Sequence, residues 1–129
     1  MSTRSIDRKL DLDNHPDWNV VFNEDGLLEK LDHDVAVFQE VIQVFIEDVS
    51  DRIERLADMV DSFDFKHIAD EAHTIKGAAA TIEAGLFKKA AFDLESNAVG
   101  GNGSGVIETY GRLKAGFDYL KEILEKTIN

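Results

Sequence analysis

The fold is decided by residues 34–63, which read DVAVFQEVIQVFIEDVSDRIERLADMVDSF. Apolar side chains recur there every three or four residues, which is the repeat of one face of an α-helix. These side chains are Phe38, Val41 or Ile42, Phe45, Val49, Ile53, Leu56, Val60 and Phe63. The pattern predicts one amphipathic helix of about 30 residues and about 45 Å in length.

Three further apolar stripes with the same repeat follow this helix. The second helix is expected to start near Asp64 as its N-cap, and it carries Phe65, Ile68, Ala72, Ile75, Ala79 and Ile82. The third stripe is predicted to contain Leu86, Ala90, Leu94 and Ala98, and the last Val106, Tyr110, Leu113, Phe117, Leu120 and Leu124. The glycine-rich residues 100–105 should separate these two helices, with Ser104 capping the last one.

Single apolar seams and short connections predict an all-α fold, an antiparallel four-helix bundle. Residues 1–17 are interpreted as a polar N-terminal lead-in, and residues 18–129 as the bundle domain. Apolar clusters between Trp18 and Leu31 indicate one or two short extra helices that close one end of the bundle.

Composition excludes several classes of protein. The chain has 129 residues, enough for one domain, and 43% of them are hydrophobic, which excludes a disordered acidic tail. A net charge of −12 repels nucleic acid and anionic membranes, so neither is expected as a partner. No apolar stretch is long enough for a membrane span, and the N-terminal residues lack the apolar segment of a secretory signal. The lack of cysteine suits a reducing compartment, so a cytoplasmic location is expected.

Of the four histidines, only His73 has neighbours that suggest chemistry. Residues of an α-helix are spaced about 100° apart around its axis. His73 therefore falls roughly 130° from the centre of the apolar stripe of its helix, and its imidazole should point into solvent. An imidazole is largely neutral and nucleophilic near neutral pH.

The neighbours of this histidine along the helix surface are small or basic. Ala69, Gly77 and Ala80 have too little side chain to shield the ring. Gly77 costs about 1 kcal/mol relative to alanine inside a helix, so the space is needed either for helix packing or for access. Lys76 lies one turn away and could neutralise phosphate oxygens, and Lys66 could extend a positive patch used in docking. The set suits a phosphoryl carrier, because phosphoryl transfer demands mainly positioning and charge stabilisation.

Other kinds of site fit these residues less well. Asp70 and His73 have the spacing of a helical di-iron ligand pair, but such sites face inward, so no metal site is expected. A serine hydrolase is disfavoured because no nucleophile elbow is visible, and the glycine run lacks the order of a phosphate-binding loop. An acidic helical module that binds partners without accepting phosphoryl groups remains an open alternative.

The stretch Ala72-His-Thr-Ile-Lys-Gly-Ala-Ala79 resembles the motif of histidine-containing phosphotransfer (HPt) domains of multistep phosphorelays. That motif has a histidine, a hydrophobic residue two positions on, then lysine, glycine and small residues. The similarity continues through Ala84, Leu86, Ala90 and Leu94-Glu95, and residues 22–31 and 38–48 look like the first helices of the family. The resemblance covers roughly residues 20–126.

The resemblance implies a role for each matching residue. His73 would be the phosphoacceptor through Nε2, Lys76 would balance the phosphoryl charge, and Gly77 would keep the approach open. Ala69 and Ala80 would lie in the face that docks receiver domains. The partners would be response-regulator receiver domains and a hybrid sensor histidine kinase. The domain would be a monomer with no cofactor or catalytic activity of its own, and the Mg²⁺ would belong to the receiver.

One position departs from the family pattern. Ten residues after the histidine the family usually has glycine before alanine, whereas this chain has Glu83-Ala84. If glycine allows a tight corner there, Glu83 must swing outward or shift the turn. Alternatively, it could be an early residue of the next helix and gain from the helix dipole.

Overall fold

The computed structural model describes residues 16–129, with side chains from residue 18 onward. A short 3-10 helix at Pro16–Asn19 precedes five α-helices in this range. They are α1 (Glu24–Lys30), α2 (Val35–Asp61), α3 (Phe65–Thr81), α4 (Gly85–Val99) and α5 (Gly103–Ile128). The described residues contain no strand, and the all-α prediction is confirmed. The predicted lead-in of residues 1–17 lies almost wholly outside the described residues.

Helices α2 to α5 form the four-helix bundle that the sequence predicted. Each packs against its neighbours in sequence, and α2 also packs against α5, which closes the ring of helices. The turns 62–64, 82–84 and 100–102 are too short for a crossover, so successive helices run antiparallel. Phe45, Phe87 and Phe117 join α2, α4 and α5 in the core, with ring centroids 5.8 to 6.4 Å apart.

Two of the predicted apolar stripes need correction. All six predicted residues of α5 are buried, but Phe63, at the end of the α2 stripe, is exposed because the helix ends at Asp61. The stripe of α4 is offset by one residue at its start. Leu86 is exposed, and Phe87 and Ala91 enter the core instead, because Phe87 packs on the two other core phenylalanines.

One of the two predicted N-caps is confirmed and the other is wrong. Asp64 is the N-cap of α3, as predicted, and its carboxylate accepts a hydrogen bond from the backbone N–H of His67. The cap of α5 is Asn102 rather than Ser104, because Asn102 Oδ1 accepts from the backbone N–H of Gly105 at 3.0 Å. The helix therefore begins at Gly103, one residue before the serine.

The conformation of Glu83 shows how this chain accommodates a glutamate where the family usually has glycine. Its φ of +67° lies in the left-handed region, where glycine is favoured, so the turn keeps a glycine-like backbone with a glutamate side chain. The carboxylate points outward to α1, with Oε2 2.7 Å from Lys30 Nζ. Lys30 Nζ also donates to the carbonyl of Thr81 at 3.3 Å, near the end of α3. The alternative that placed Glu83 inside the next helix is wrong, since α4 begins at Gly85.

The segment before α1 is attached to this same corner through main-chain atoms. Ala84 is the N-cap of α4 and provides no side-chain cap. The carbonyl of Val20 accepts from the backbone N–H of Leu86 at 2.8 Å instead, which satisfies one of the free amides of the helix start. The backbone N–H of Asn23 donates to the carbonyl of Glu83 at 3.0 Å.

Substitutions of Glu83 should separate the backbone strain from the ion pair. Glu83→Ala and Glu83→Gly both lose the partly exposed pair with Lys30, which contributes less than about 1 kcal/mol. Only glycine relieves the left-handed conformation, which costs an L-residue roughly 1–2 kcal/mol. We expect Glu83→Gly to exceed Glu83→Ala in free energy of unfolding by about 1 kcal/mol in urea titrations. Equal stability of the two variants would contradict the strained turn.

Candidate functional site

The two faces of α3 set the direction of His73. Ile68, Ala72, Ile75 and Ala79 are fully buried against the rest of the bundle. His73 lies on the other side of the helix, and 68% of its side chain is exposed. The outward direction predicted from the helical repeat is confirmed.

The imidazole is oriented by a glutamate on the neighbouring helix, which contacts one ring nitrogen. Nδ1 of His73 lies 3.0 Å from Oε2 of Glu95, which comes from α4. An ionised carboxylate only accepts hydrogen bonds, so in the neutral ring this contact favours the tautomer with the hydrogen on Nδ1 and the lone pair on Nε2. The site therefore presents a nucleophilic nitrogen of defined position.

Lys76 shares the same carboxylate. Its Nζ lies 2.8 Å from Oε1 of Glu95, and both side chains are largely buried, with 25% of Lys76 and 20% of Glu95 exposed. Nζ also lies 5.5 Å from the ring centroid of Phe92, above its face. Glu95 thus connects the imidazole to the ammonium. Sequence reasoning found Glu95 only as part of the family resemblance and gave it no role, because no local spacing signals a contact between helices.

The lysines do not form the free positive patch that the sequence suggested. Lys66 Nζ lies 3.3 Å from Oδ2 of Asp70, one turn along α3, and Lys76 is paired with Glu95. Both cations are therefore balanced by carboxylates. Lys66 is also highly exposed, so its ion pair is weak and screened by salt.

Gly77 lies on the surface beside the histidine. A Cβ added at this glycine would meet no atom within 4 Å, apart from its chain neighbours and its own helix backbone. Helix packing therefore does not require glycine here, and the role of Gly77 in access stays a prediction. Ala69 and Ala80, the other small neighbours, are partly buried in the same helix.

A second ion network holds the other side of α3 to α2. Arg52 Nη1 lies 2.9 Å from Oε1 of Glu71, and Arg55 Nε lies 3.1 Å from Oε2. The hydrogen bond from Arg52 to Asp48 is the main cause that raises the pKa of the arginine, and Glu71 adds to it. Helix α3 is therefore tied to α2 through Glu71 and to α4 through Glu95.

The described residues around His73 do not form the metal site that the spacing of Asp70 and His73 suggested as an alternative. Within residues 16–129, no three carboxylates or histidines are grouped so that they could hold a metal ion. Asp70, which the sequence paired with His73, contacts Lys66 instead.

In the same range, no helix combines the length and the apolar character that crossing a membrane requires. A groove of about 510 Å³ lies between α4 and α5, but His73 is not among its lining residues.

A closed bundle of four antiparallel helices with an exposed, oriented imidazole defines a class of protein, the histidine phosphotransfer modules. The Hpt domain family model matches residues 40–125, two thirds of the chain, and the chain belongs to this family. It accordingly has a phosphotransfer role in a phosphorelay.

Two other comparisons concern whole proteins. The fold is similar to the crystal structure of histidine-containing phosphotransfer protein B (HptB) from Pseudomonas aeruginosa PAO1, with a TM-score of 0.79. The two chains share 16% sequence identity, and the similarity covers 84% of this chain and 95% of that one. A comparison with curated protein sequences gave no match.

The tautomer of His73 should depend on Glu95. We expect the ¹⁵N chemical shifts of the wild-type imidazole to show a protonated Nδ1 at a pH where the ring is neutral. Glu95→Ala should shift the ring towards protonation on Nε2. Lys76→Met is the matched control, because it removes the cation but leaves the carboxylate that contacts Nδ1. An unchanged tautomer in Glu95→Ala would show that the carboxylate does not orient the ring.

Proposed function

We propose that His73 accepts a phosphoryl group on Nε2 and exchanges it with aspartates of response-regulator receiver domains. The observation that carries this proposal is the contact of Nδ1 with Glu95, because it leaves the lone pair of Nε2 directed to solvent. A hybrid sensor histidine kinase is the expected source of the phosphoryl group. We expect these partners because the chain belongs to the Hpt family.

The geometry around the ring supports the following transfer step. Nε2 attacks the phosphorus of an aspartyl phosphate, the N–P bond forms, and the O–P bond to the aspartate breaks with departure of its carboxylate. The ring becomes positively charged as the new bond forms. Glu95 stabilises this charge through the hydrogen bond from Nδ1, so the carboxylate favours the phosphorylated state as well as the reactive tautomer. The reverse step returns the group to an aspartate.

Lys76 provides the second electrostatic contribution. In the resting site its ammonium is paired with Oε1 of Glu95. An incoming phosphoryl group adds negative charge next to the histidine, and Lys76 lies one helical turn away on the same face. A small rotation of its flexible side chain would direct the ammonium to the phosphoryl oxygens, where it acts as a point charge. The carboxylate released by Lys76 would remain bonded to Nδ1.

The shape of the site indicates what the partner must supply. His73 projects from an exposed helix surface and is absent from the lining of three grooves in the described part of the chain. The receiver domain would bring the cleft, the acceptor aspartate and its Mg²⁺, while this chain would need no cofactor and have no catalytic activity of its own. Gly77, Ala69 and Ala80 would allow close docking, and Lys66 would contact the partner at the edge.

The remaining expectations concern the setting of the protein. The acidic charge disfavours nucleic acid and anionic membranes as partners. We expect a monomer that works in the cytoplasm, where receiver domains and kinases exchange phosphoryl groups.

Replacement of His73 should abolish phosphorylation without unfolding the bundle. When the protein is incubated with a phosphorylated receiver, we expect wild type to acquire acid-labile, base-stable label and His73→Gln to acquire none. Helical content by circular dichroism should be unchanged, because the ring is exposed. His67→Gln is the matched control, an exposed histidine of the same helix that contacts Asp64. If wild type takes no label from any receiver, the acidic interaction module becomes the better interpretation.

Two glycines with open space around them allow an effect on protein stability to be distinguished from an effect on access to His73. Gly77 in α3 and Gly111 in α5 both have open space where a Cβ would lie. Alanine at either position should raise the free energy of unfolding by about 0.5–1 kcal/mol, because glycine is a poor helix former. Only Gly77→Ala should slow transfer, since α5 has no substantial packing with α3. Wild-type transfer rates in Gly77→Ala would refute the assignment of Gly77 to access.

A further inference from the structure

Two aromatic rings connect the segment before α1 with the phosphotransfer site. The indole of Trp18, in the 3-10 helix Pro16–Asn19, packs on the ring of Phe92 in α4 with centroids 5.5 Å apart and an angle of 33°. The face of Phe92 in turn lies 5.5 Å from Lys76 Nζ. A continuous series of contacts therefore runs from Trp18 through Phe92 and Lys76 to Glu95 and His73.

Phe92 needs support to hold this position. Its side chain is 38% exposed, and an exposed phenyl ring on a helix surface can change rotamer on a fast timescale. The indole packed against it restricts that movement. Trp18 is itself held by Lys89, whose Nζ lies 5.4 Å from the indole centroid and 2.9 Å from each carboxylate oxygen of Asp93.

We propose that Trp18 is a positioning residue of the phosphotransfer site, which acts through Phe92 to keep the ammonium of Lys76 within reach of the phosphoryl group. The role rests on the proposed function of His73 and Lys76. Trp18 lies outside residues 40–125, which match the family model, so the role belongs to a part of this chain that the family pattern does not include.

The position of Lys76 explains why such support is useful. Its ammonium has to leave Oε1 of Glu95 when a phosphoryl group arrives on the adjacent histidine. Attraction to an aromatic face is electrostatic and tolerates lateral movement, so Lys76 can change partners while it stays near the ring of Phe92. A Phe92 ring that moved away would leave the ammonium free to extend into solvent.

A first experiment tests positioning without phosphorylation. The acylation rate of Lys76 by an amine-reactive ester is measured by peptide mass spectrometry, with Lys66 as internal reference. Trp18→Ala should raise the relative rate about threefold, the size of one exposed cation–π contact, and Trp18→Phe should restore the wild-type value. Phe92→Leu, which keeps an apolar side chain but removes the aromatic face, should match Trp18→Ala. An unchanged rate in Trp18→Ala and Phe92→Leu would overturn the proposal.

A second experiment tests the consequence for transfer. Trp18→Ala should slow phosphoryl transfer from a phosphorylated receiver about threefold, and Trp18→Phe should retain the wild-type rate. In a Lys76→Met background, Trp18→Ala should have no additional effect. An equal decrease in both backgrounds would overturn the positioning role, because it would show that Trp18 acts independently of Lys76. If wild type accepts no label at all, the proposed function fails, and the acylation rates still decide whether Trp18 positions Lys76.

Discussion

The burial of one face of α3 is the constraint on which the rest of the site depends. Ala72 and Ala79 are fully buried, and α3 packs closely against α4, so each face of α3 has a fixed direction in the bundle. Because neighbouring residues differ by about 100° in direction, the burial of Ala72 obliges His73 to face outward. The same close approach brings Glu95 of α4 within hydrogen-bond distance of the imidazole. Core packing and the orientation of the reactive nitrogen therefore have one cause.

A single carboxylate organises the chemistry at this surface. Glu95 uses one oxygen for the histidine and the other for the lysine, so the reactive ring and its counter-cation are held by a common group. The arrangement lets the site rest in an electrically balanced state within an acidic protein. In the proposed transfer, a phosphoryl group on the histidine would change this balance, and the lysine would respond by moving.

Much of the fold was predictable from the sequence because its signals are periodic and local. The long stripe of α2, the cap at Asp64 and the outward direction of His73 follow from residues within a few turns of one another. The contacts that fix the site do not, since Glu95 lies 22 residues from His73 in sequence and meets it only after α3 and α4 pack. The same limit applies to Leu86, which is exposed because Phe87 packs on the core phenylalanines of α2 and α5 in its place.

The attachment of the N-terminal segment has a consequence for how such proteins can diverge. Val20 and Asn23 reach the α3–α4 corner through a carbonyl and an amide that every residue except proline possesses in full. Replacement of the exposed Val20 side chain leaves these bonds available, so the segment can acquire new surface chemistry while its anchoring persists. New surface residues can therefore appear in the segment before α1, close to the histidine site, without loss of the main-chain bonds that attach the segment to the bundle.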